Sequence, residues 1–138
     1  MPEIYVLDSS ALIAYFNGEP GGTKVRELLR QATDDQIHLY LHQVQLGEVY
    51  YIFWEREGKA KAELVLSDVR GYPITLKDRI SFELFKEVGR LKATYRLSYA
   101  DAFAVGLARS QKAKLISCDR HELAPLETQG EIEMFWVR

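Results

Sequence analysis

The feature that most constrains the fold is a short apolar run, residues 4–7, which ends in Asp8 and passes directly into a helical pattern. An apolar run of strand length without polar alternation is typical of a strand buried on both faces, as in the parallel sheet of an α/β domain. Asp8 then lies at the carboxyl end of that strand, where ligands bind in open α/β sheets. The simpler interpretation is that Asp8 only caps the next helix by accepting a backbone N–H bond.

Composition limits the class of protein. The chain has 138 residues, and we expect a single domain spanning residues 1–138 with a substantial core. A hydrophobic content of 47% and a charged content of 28% exclude disordered and fibrous classes. The single cysteine, Cys118, excludes an internal disulfide and suits a reducing compartment. The longest apolar run, residues 49–54, is far shorter than the ~20 residues of a membrane span, so we expect an unanchored cytoplasmic protein.

Alternating strand and helix patterns predict an α/β fold with a central, mainly parallel sheet of about five strands. After the first strand, further strands are predicted at residues 37–41, 74–76, 114–118 and 132–137. Helices are predicted at residues 9–16, 24–32 after an N-cap at Thr23, 44–57, 59–69 and 78–96, with another opening after an N-cap at Ser98. Gly58 is expected to adopt a left-handed cap. In the longest helix, Phe82, Phe85, Val88, Leu91 and Tyr95 are expected to face inward.

Four acids occupy similar positions in these predicted elements. Asp8 and Asp119 follow apolar strands, whereas Glu48 and Asp101 lie early in two helices. With right-handed crossovers, all four can meet at one edge of the sheet. Clustered carboxylates repel one another unless a divalent cation neutralises them, and oxygen-only ligands suit Mg²⁺ or Mn²⁺. Such an ion can activate water for attack on a phosphodiester, so the pattern predicts phosphodiester hydrolysis.

Each of these residues also has an ordinary structural interpretation. Glu48 can be half of a buried ion pair with an arginine, or a protonated acid. Asp101 in a first helical turn is favoured by the helix dipole. The aromatic residues Tyr50, Tyr51 and Trp54 are best explained as core packing. Three further side chains near the acids are either surface residues or contacts to substrate phosphate, namely Arg96, Arg120 and His121.

Taken together, these residues resemble the PIN-domain ribonucleases, most closely the VapC-type toxins of bacterial and archaeal toxin–antitoxin pairs. The resemblance covers essentially the whole chain. It is carried by Asp8-Ser9-Ser10-Ala11-Leu12, by Glu48, by Tyr99-Ala100-Asp101-Ala102 with Ala104 and Ala108, and by Ser117-Cys118-Asp119. It implies a PIN-like three-layer α/β/α domain. Where the family often has another acid followed by Phe, this chain has Glu122 and Leu123.

The resemblance also implies roles for these residues. Asp8, Glu48, Asp101 and Asp119 are implied to be the catalytic, metal-binding acids, with Ser10 and Ser117 supporting the metal or phosphate site. The implied activity is Mg²⁺- or Mn²⁺-dependent endonucleolytic cleavage of RNA, often tRNA or ribosomal RNA. A cognate antitoxin protein and a homodimer are the implied partners. The alternative is a non-catalytic PIN-fold module that binds RNA or protein without cleaving it.

Overall fold

A computed structural model describes residues 2–138, which form a five-stranded sheet between two layers of helices. The strands are β1 (Glu3–Leu7), β2 (Ile37–His42), β3 (Ile74–Lys77), β4 (Lys114–Ser117) and β5 (Met134–Trp136). The helices are α1 (Ser9–Phe16), α2 (Gly22–Thr33), α3 (Gln43–Glu57), α4 (Lys59–Gly71), α5 (Phe82–Thr94), α6 (Tyr99–Ser110) and α7 (Arg120–Thr128).

The sheet has the strand order β3-β2-β1-β4-β5, and every neighbouring pair is parallel. Strand β1 is central, with Val6 opposite Tyr40 of β2 and Leu115 of β4. The predicted parallel α/β sheet of five strands is therefore confirmed. Because all strands run in one direction, the residues that follow β1 and β4 emerge at the same edge.

The two faces of the sheet are covered by different helices. Helices α1 to α4 pack on one face, where Tyr5 and Leu7 join their core, and α5 to α7 pack on the other face with Val6. The predicted three-layer α/β/α arrangement is confirmed. Among residues 2–138, no helix has the length and apolar composition needed to cross a membrane.

Helix starts show how local sequence fixes the elements. Ser98 caps α6 as predicted, because its Oγ accepts the backbone N–H of Asp101 at 3.1 Å. His42 caps α3 by accepting the N–H of Val44 at 3.1 Å, and its other ring nitrogen lies 3.1 Å from the carbonyl oxygen of Arg79. Gly58 has the expected positive φ of 93°, but its ψ of 170° is extended. It therefore links α3 to α4 instead of forming a left-handed cap.

The prediction for α5 was wrong at its start and for two residues of its inward face. The helix begins at Phe82, because Ser81 Oγ accepts the N–H of Leu84 at 3.2 Å and so caps it. Phe82 and Phe85 are 83% and 58% exposed. The buried stripe is Leu84, Val88 and Leu91, so the prediction is confirmed for Val88 and Leu91 and missed Leu84.

Two further elements differ from the predictions. Helix α2 begins one residue before the predicted cap Thr23, because Gly21 precedes it with a φ of 99°. Helix α7 was not predicted. Asp119 caps the start of α7, because its Oδ1 accepts the N–H of Glu122 at 3.2 Å, and Pro125 lies inside the helix.

Candidate active site

Asp8 lies at the centre of the site, directly after β1. It occupies the N-cap position of α1, yet its side chain makes no capping hydrogen bond. Its Oδ2 instead accepts hydrogen bonds of 2.8 Å from the hydroxyls of Ser10 and Ser117. Its Oδ1 is buried, and residues 2–138 offer it no N–H or alcohol donor, while the Asp101 carboxyl can donate to Asp8 when it is protonated. The simple capping interpretation of Asp8 is therefore wrong for its side chain.

The two serines are themselves fully used. Ser10 Oγ accepts the N–H of Cys118 at 3.2 Å, and Ser117 Oγ accepts the N–H of Asp119 at 3.0 Å. The two hydroxyls also lie 3.0 Å from each other, and each has a single proton. At least one of the two protons therefore goes to Asp8 Oδ2, and the other goes either to that oxygen or to the neighbouring serine. This fixes the orientation of the carboxylate and directs its second oxygen elsewhere.

Asp101 faces Asp8 from the first turn of α6. Both side chains are buried, being 5% and 1% exposed. Burial, followed by the charge of Asp8, raises the pKa of Asp101 to about 10. Burial is also the main cause that raises the pKa of Asp8. The two carboxyl groups therefore favour a shared proton or a cation over two bare charges.

Asp119 and Glu122 complete a compact acidic group with Asp101. One carboxylate oxygen from each of the three lies within 4.8 Å of the others. A hydrogen bond from Asp101 lowers the pKa of Glu122, and the backbone N–H of Ser98 contributes at 3.4 Å. Glu122, whose role the sequence left open, is thus part of the acidic group. Its signal in the sequence was its position three residues after the helix-capping Asp119.

Glu48 borders this group from α3. It is half-buried, and Ser9 Oγ donates a hydrogen bond to its Oε1. Burial is the largest cause that raises its pKa, and the charges of Asp8, Glu122 and Asp119 add to it. Among the described residues Glu48 has no arginine partner, so the ion-pair interpretation is wrong.

The remaining candidates lie around this centre. Arg120 stacks over the Trp136 ring at 4.5 Å and donates to the carbonyl oxygen of Arg138 at 2.9 Å. His121 is exposed. Core packing was the wrong interpretation for Tyr51 and Trp54, which are 50% and 45% exposed.

The site fits a hard divalent cation. Every donor is an oxygen, and the buried Oδ1 of Asp8 is an acceptor that lacks an N–H or alcohol donor. The raised pKa values of Asp8, Asp101 and Glu48 mean that the folded chain favours neutralisation of these charges. The acid centre consists of five carboxylates, namely Asp8, Glu48, Asp101, Asp119 and Glu122.

Solved structures share this fold at low sequence identity. VapBC2 from Rickettsia felis, bound to a DNA fragment from its promoter, is 14% identical with a TM-score of 0.75, covering 96% of this chain and 98% of that chain. DNA-bound VapBC from Salmonella typhimurium is 14% identical with a TM-score of 0.73, and the match covers 100% of both chains. VapC20 from Mycobacterium tuberculosis, a toxin that cleaves the sarcin–ricin loop, is 14% identical with a TM-score of 0.68, covering 89% of this chain and 95% of that chain.

No curated protein sequence matches the chain. The family model described as the PIN domain matches residues 5–124, which include all five carboxylates, the last three residues of β1 and the whole of β2, β3 and β4. The sequence resemblance to PIN-domain proteins is confirmed, and the chain belongs to the PIN domain family.

Proposed function

We propose that this protein is a Mg²⁺- or Mn²⁺-dependent endoribonuclease that acts as the toxin of a type II toxin–antitoxin pair. The observation that carries the proposal is the acid centre at the carboxyl edge of the sheet. There, a buried aspartate with an unpartnered oxygen faces a second buried aspartate, and two further acids adjoin it. Such clustering is costly for the fold, and a bound cation would offset that cost by neutralising the charges.

Within this proposal, Asp8, Glu48, Asp101 and Asp119 would hold the ion, with Glu122 beside them. The bound ion would supply an activated water and would neutralise charge on the leaving oxygen of a phosphodiester. Ser10 and Ser117 orient Asp8 through its Oδ2, so that Oδ1 stays available. Ser9 orients Glu48 in the same way. Glu122, whose pKa is lowered, stays ionised beside the ion and adds a further carboxylate oxygen to the centre.

The assignment of RNA as substrate and of an antitoxin as partner is supported by the fold. Several solved structures of the same fold are VapBC complexes, and one is a toxin named for cleavage of the sarcin–ricin loop. We extend this to tRNA or ribosomal RNA as the substrate class, a homodimer as the assembly and the cytoplasm as the compartment. Residues 1–138 would act as one domain.

The test is RNA cleavage by the purified chain, free of any partner. The protein is incubated with total tRNA and a structured ribosomal RNA fragment in Mg²⁺, in Mn²⁺ and in EDTA. The proposal expects endonucleolytic products with either metal and none with EDTA. Asp101→Asn, shown to be folded by circular dichroism, is expected to abolish cleavage.

One outcome would replace the proposal with the non-catalytic alternative. RNA binding without cleavage in either metal, together with an unchanged melting temperature on addition of metal, would identify a binding module. Cleavage that persists in EDTA or in folded Asp101→Asn would instead overturn the assigned site.

A further inference from the structure

A groove of about 980 Å³ runs beside the acid centre, on the outer side of Glu122. One wall is the last turn of α5 with the segment that follows it, and the other wall is the first half of α7. Among the residues that line it are Lys92, Arg96, Ser98, His121 and Glu122. Glu122 belongs both to this groove and to the acidic group, so the groove leads directly into the centre.

The charge of the groove is opposite to that of the centre. Lys92, Arg96 and His121 are exposed, and within residues 2–138 none of them pairs with a carboxylate. Lys92 donates one hydrogen bond, to the carbonyl oxygen of Leu97 at 2.9 Å, which fixes the ammonium beside the groove and leaves two of its three donors available. Glu122 is the one acid among the residues that line the groove.

Neighbouring basic residues differ in this respect. Arg90, on the same helix as Lys92, binds Glu87 and Glu131 at 2.9 Å, and Arg109 binds Glu87 as well. Arg120 is held by Trp136 and by a carbonyl oxygen. Lys92 and Arg96 therefore have donors available for an anion, whereas the guanidinium groups of Arg90, Arg109 and Arg120 already have partners.

A phosphodiester strand matches this arrangement better than an acidic protein segment does. A strand places one phosphate at the acids, where a cation bridges them, and its next phosphates need cationic partners outside the centre. An acidic peptide would offer the same charge to Lys92 and Arg96, but it carries no phosphodiester for the water activated at the proposed metal site to attack. We propose that Lys92 and Arg96, with the imidazole of His121, form a phosphate-binding subsite that holds the RNA backbone next to the acid centre. This inference rests on the proposed function.

The test measures RNA binding in place of cleavage. A fluorescent single-stranded RNA is titrated with the wild-type chain and its variants in Ca²⁺, which binds carboxylate oxygens as Mg²⁺ does, at a series of salt concentrations, and a gel shows that the RNA stays intact. Arg96→Gln and Lys92→Gln are each expected to weaken binding several-fold. Each should also reduce the slope of log K against log salt by about 0.7, the contribution of one lost phosphate contact on a single strand. Arg96→Lys should retain most of the affinity.

The matched control is Lys112→Gln. Lys112 is an exposed residue before β4, at the opposite edge of the sheet, and its replacement removes the same charge. The proposed subsite is overturned if Arg96→Gln and Lys92→Gln bind RNA with the affinity and salt slope of Lys112→Gln. It is also overturned if the chain without these substitutions does not bind RNA.

Cleavage by the wild-type chain separates the two proposals. A wild type that cleaves RNA while the groove variants bind normally overturns the subsite alone. A wild type that does not cleave, with groove variants that lose affinity, overturns the nuclease and retains the subsite.

Discussion

At the scale of single residues, Asp8 illustrates how a carboxylate is prepared for a cation. Two serine hydroxyls lie 2.8 Å from Oδ2, while Oδ1 is buried without an N–H or alcohol donor. An acceptor buried in this way costs on the order of 1–3 kcal/mol when nothing satisfies it. The hydroxyls therefore orient the group without neutralising it, and part of the fold's stability is given up at the site.

Replacing Asp101 with Asn should stabilise the metal-free protein. The pKa of Asp101 is raised to about 10 by burial and by Asp8, so its ionised form favours the unfolded chain. In the folded chain Asp101 stays protonated up to about pH 10, whereas in the unfolded chain it ionises near its ordinary pKa. The free energy of unfolding is therefore highest below the unfolded pKa and falls as the pH rises towards the folded pKa, so the wild type is already destabilised at pH 7. Asn carries no charge, and its amide can donate to Glu122 as the protonated acid does.

Melting temperatures in EDTA and in Mg²⁺ check this. Asp101→Asn should melt higher than the wild type in EDTA, and should lose the rise in melting temperature that Mg²⁺ gives the wild type. Asp68→Asn, at an exposed acid on α4, is the control and should change neither value. A folded Asp101→Asn protein that melts lower in EDTA and still responds to Mg²⁺ would contradict the account.

Ser117 should matter for stability as well as for the site. It is completely buried, donates to Asp8 and accepts the N–H of Asp119. Ser117→Ala leaves both groups short of a partner, so we expect a loss of roughly 1–3 kcal/mol in the free energy of unfolding, measured in urea. An unchanged midpoint and slope would show that water replaces the hydroxyl.

At the scale of elements, the turn between α1 and α2 illustrates a backbone constraint. Gly21 has a φ of 99°, and a Cβ built on it would lie 2.7 Å from the carbonyl oxygen of Val137. The turn therefore packs tightly against the segment after β5, at the edge of the sheet that carries the acids. A side chain at this position is excluded both by its φ and by the space available.

Gly21→Ala should destabilise the protein more than a comparable change nearby. Gly18 also has a positive φ, 63°, but nothing lies within 4 Å of a Cβ built there. Gly18→Ala should cost about 1 kcal/mol from the backbone alone. Gly21→Ala should cost more than this in urea unfolding, because the backbone of Val137 must also shift. Equal losses would show that the segment after β5 moves freely away from the turn.

The sequence predicted the elements that carry their own local signals. Strand β1 with its terminal Asp8, and α6 with its Ser98 cap, were both recognised from residues adjacent in the chain. Helix α7 was missed, because Pro125 and few apolar residues hide a helix whose capping pair, Asp119 and Glu122, was present. Membership of Glu122 in the acidic group depends on that helix.

Other features depend on packing and are not encoded locally. Phe82 and Phe85 have a helical spacing that matches an inward stripe, yet Leu84, Val88 and Leu91 have the same periodicity and are the ones that meet α6 and the sheet. Asp8 is hydrogen-bonded to Ser10, two positions away, and to Ser117, 109 positions away. The contact with Ser117 exists only once the sheet has formed. When two sets of apolar residues share the helical period, the sequence pattern does not decide which set faces the core.

At the scale of the whole molecule, a charged network joins elements on the face opposite α1 to α4. Glu87 of α5 binds Arg109 of α6, and Arg90 of α5 binds Glu131 in the segment between α7 and β5. Tyr95 also donates to Glu131 at 2.8 Å. The network therefore links α5, α6 and the segment between α7 and β5.

This network should contribute to stability mainly at neutral pH. Hydrogen bonds from Arg90 lower the pKa of Glu131 to about 2. A lowered folded pKa gives stability that is present above the unfolded value, ~4.3, and is lost as the pH falls towards the folded value. Glu131→Gln should therefore lower the melting temperature at pH 7, and its difference from the wild type should shrink between about pH 4 and pH 2.

Glu133→Gln is the control for this pH series, because Glu133 is exposed and lies two residues away. It should differ little from the wild type at any pH. A Glu131→Gln difference that stays constant down to pH 2 would contradict the role of the charge and leave only packing of the side chain.

The central claim is that the acid centre binds a divalent cation. An isothermal titration calorimetry experiment with Mn²⁺ tests this claim most directly. The account predicts saturable binding by the wild type and its loss in Asp101→Asn, with circular dichroism showing that the variant is folded. Asp68→Asn should bind as the wild type does. Absence of saturable binding by the wild type, or equal binding by folded Asp101→Asn, would contradict the account.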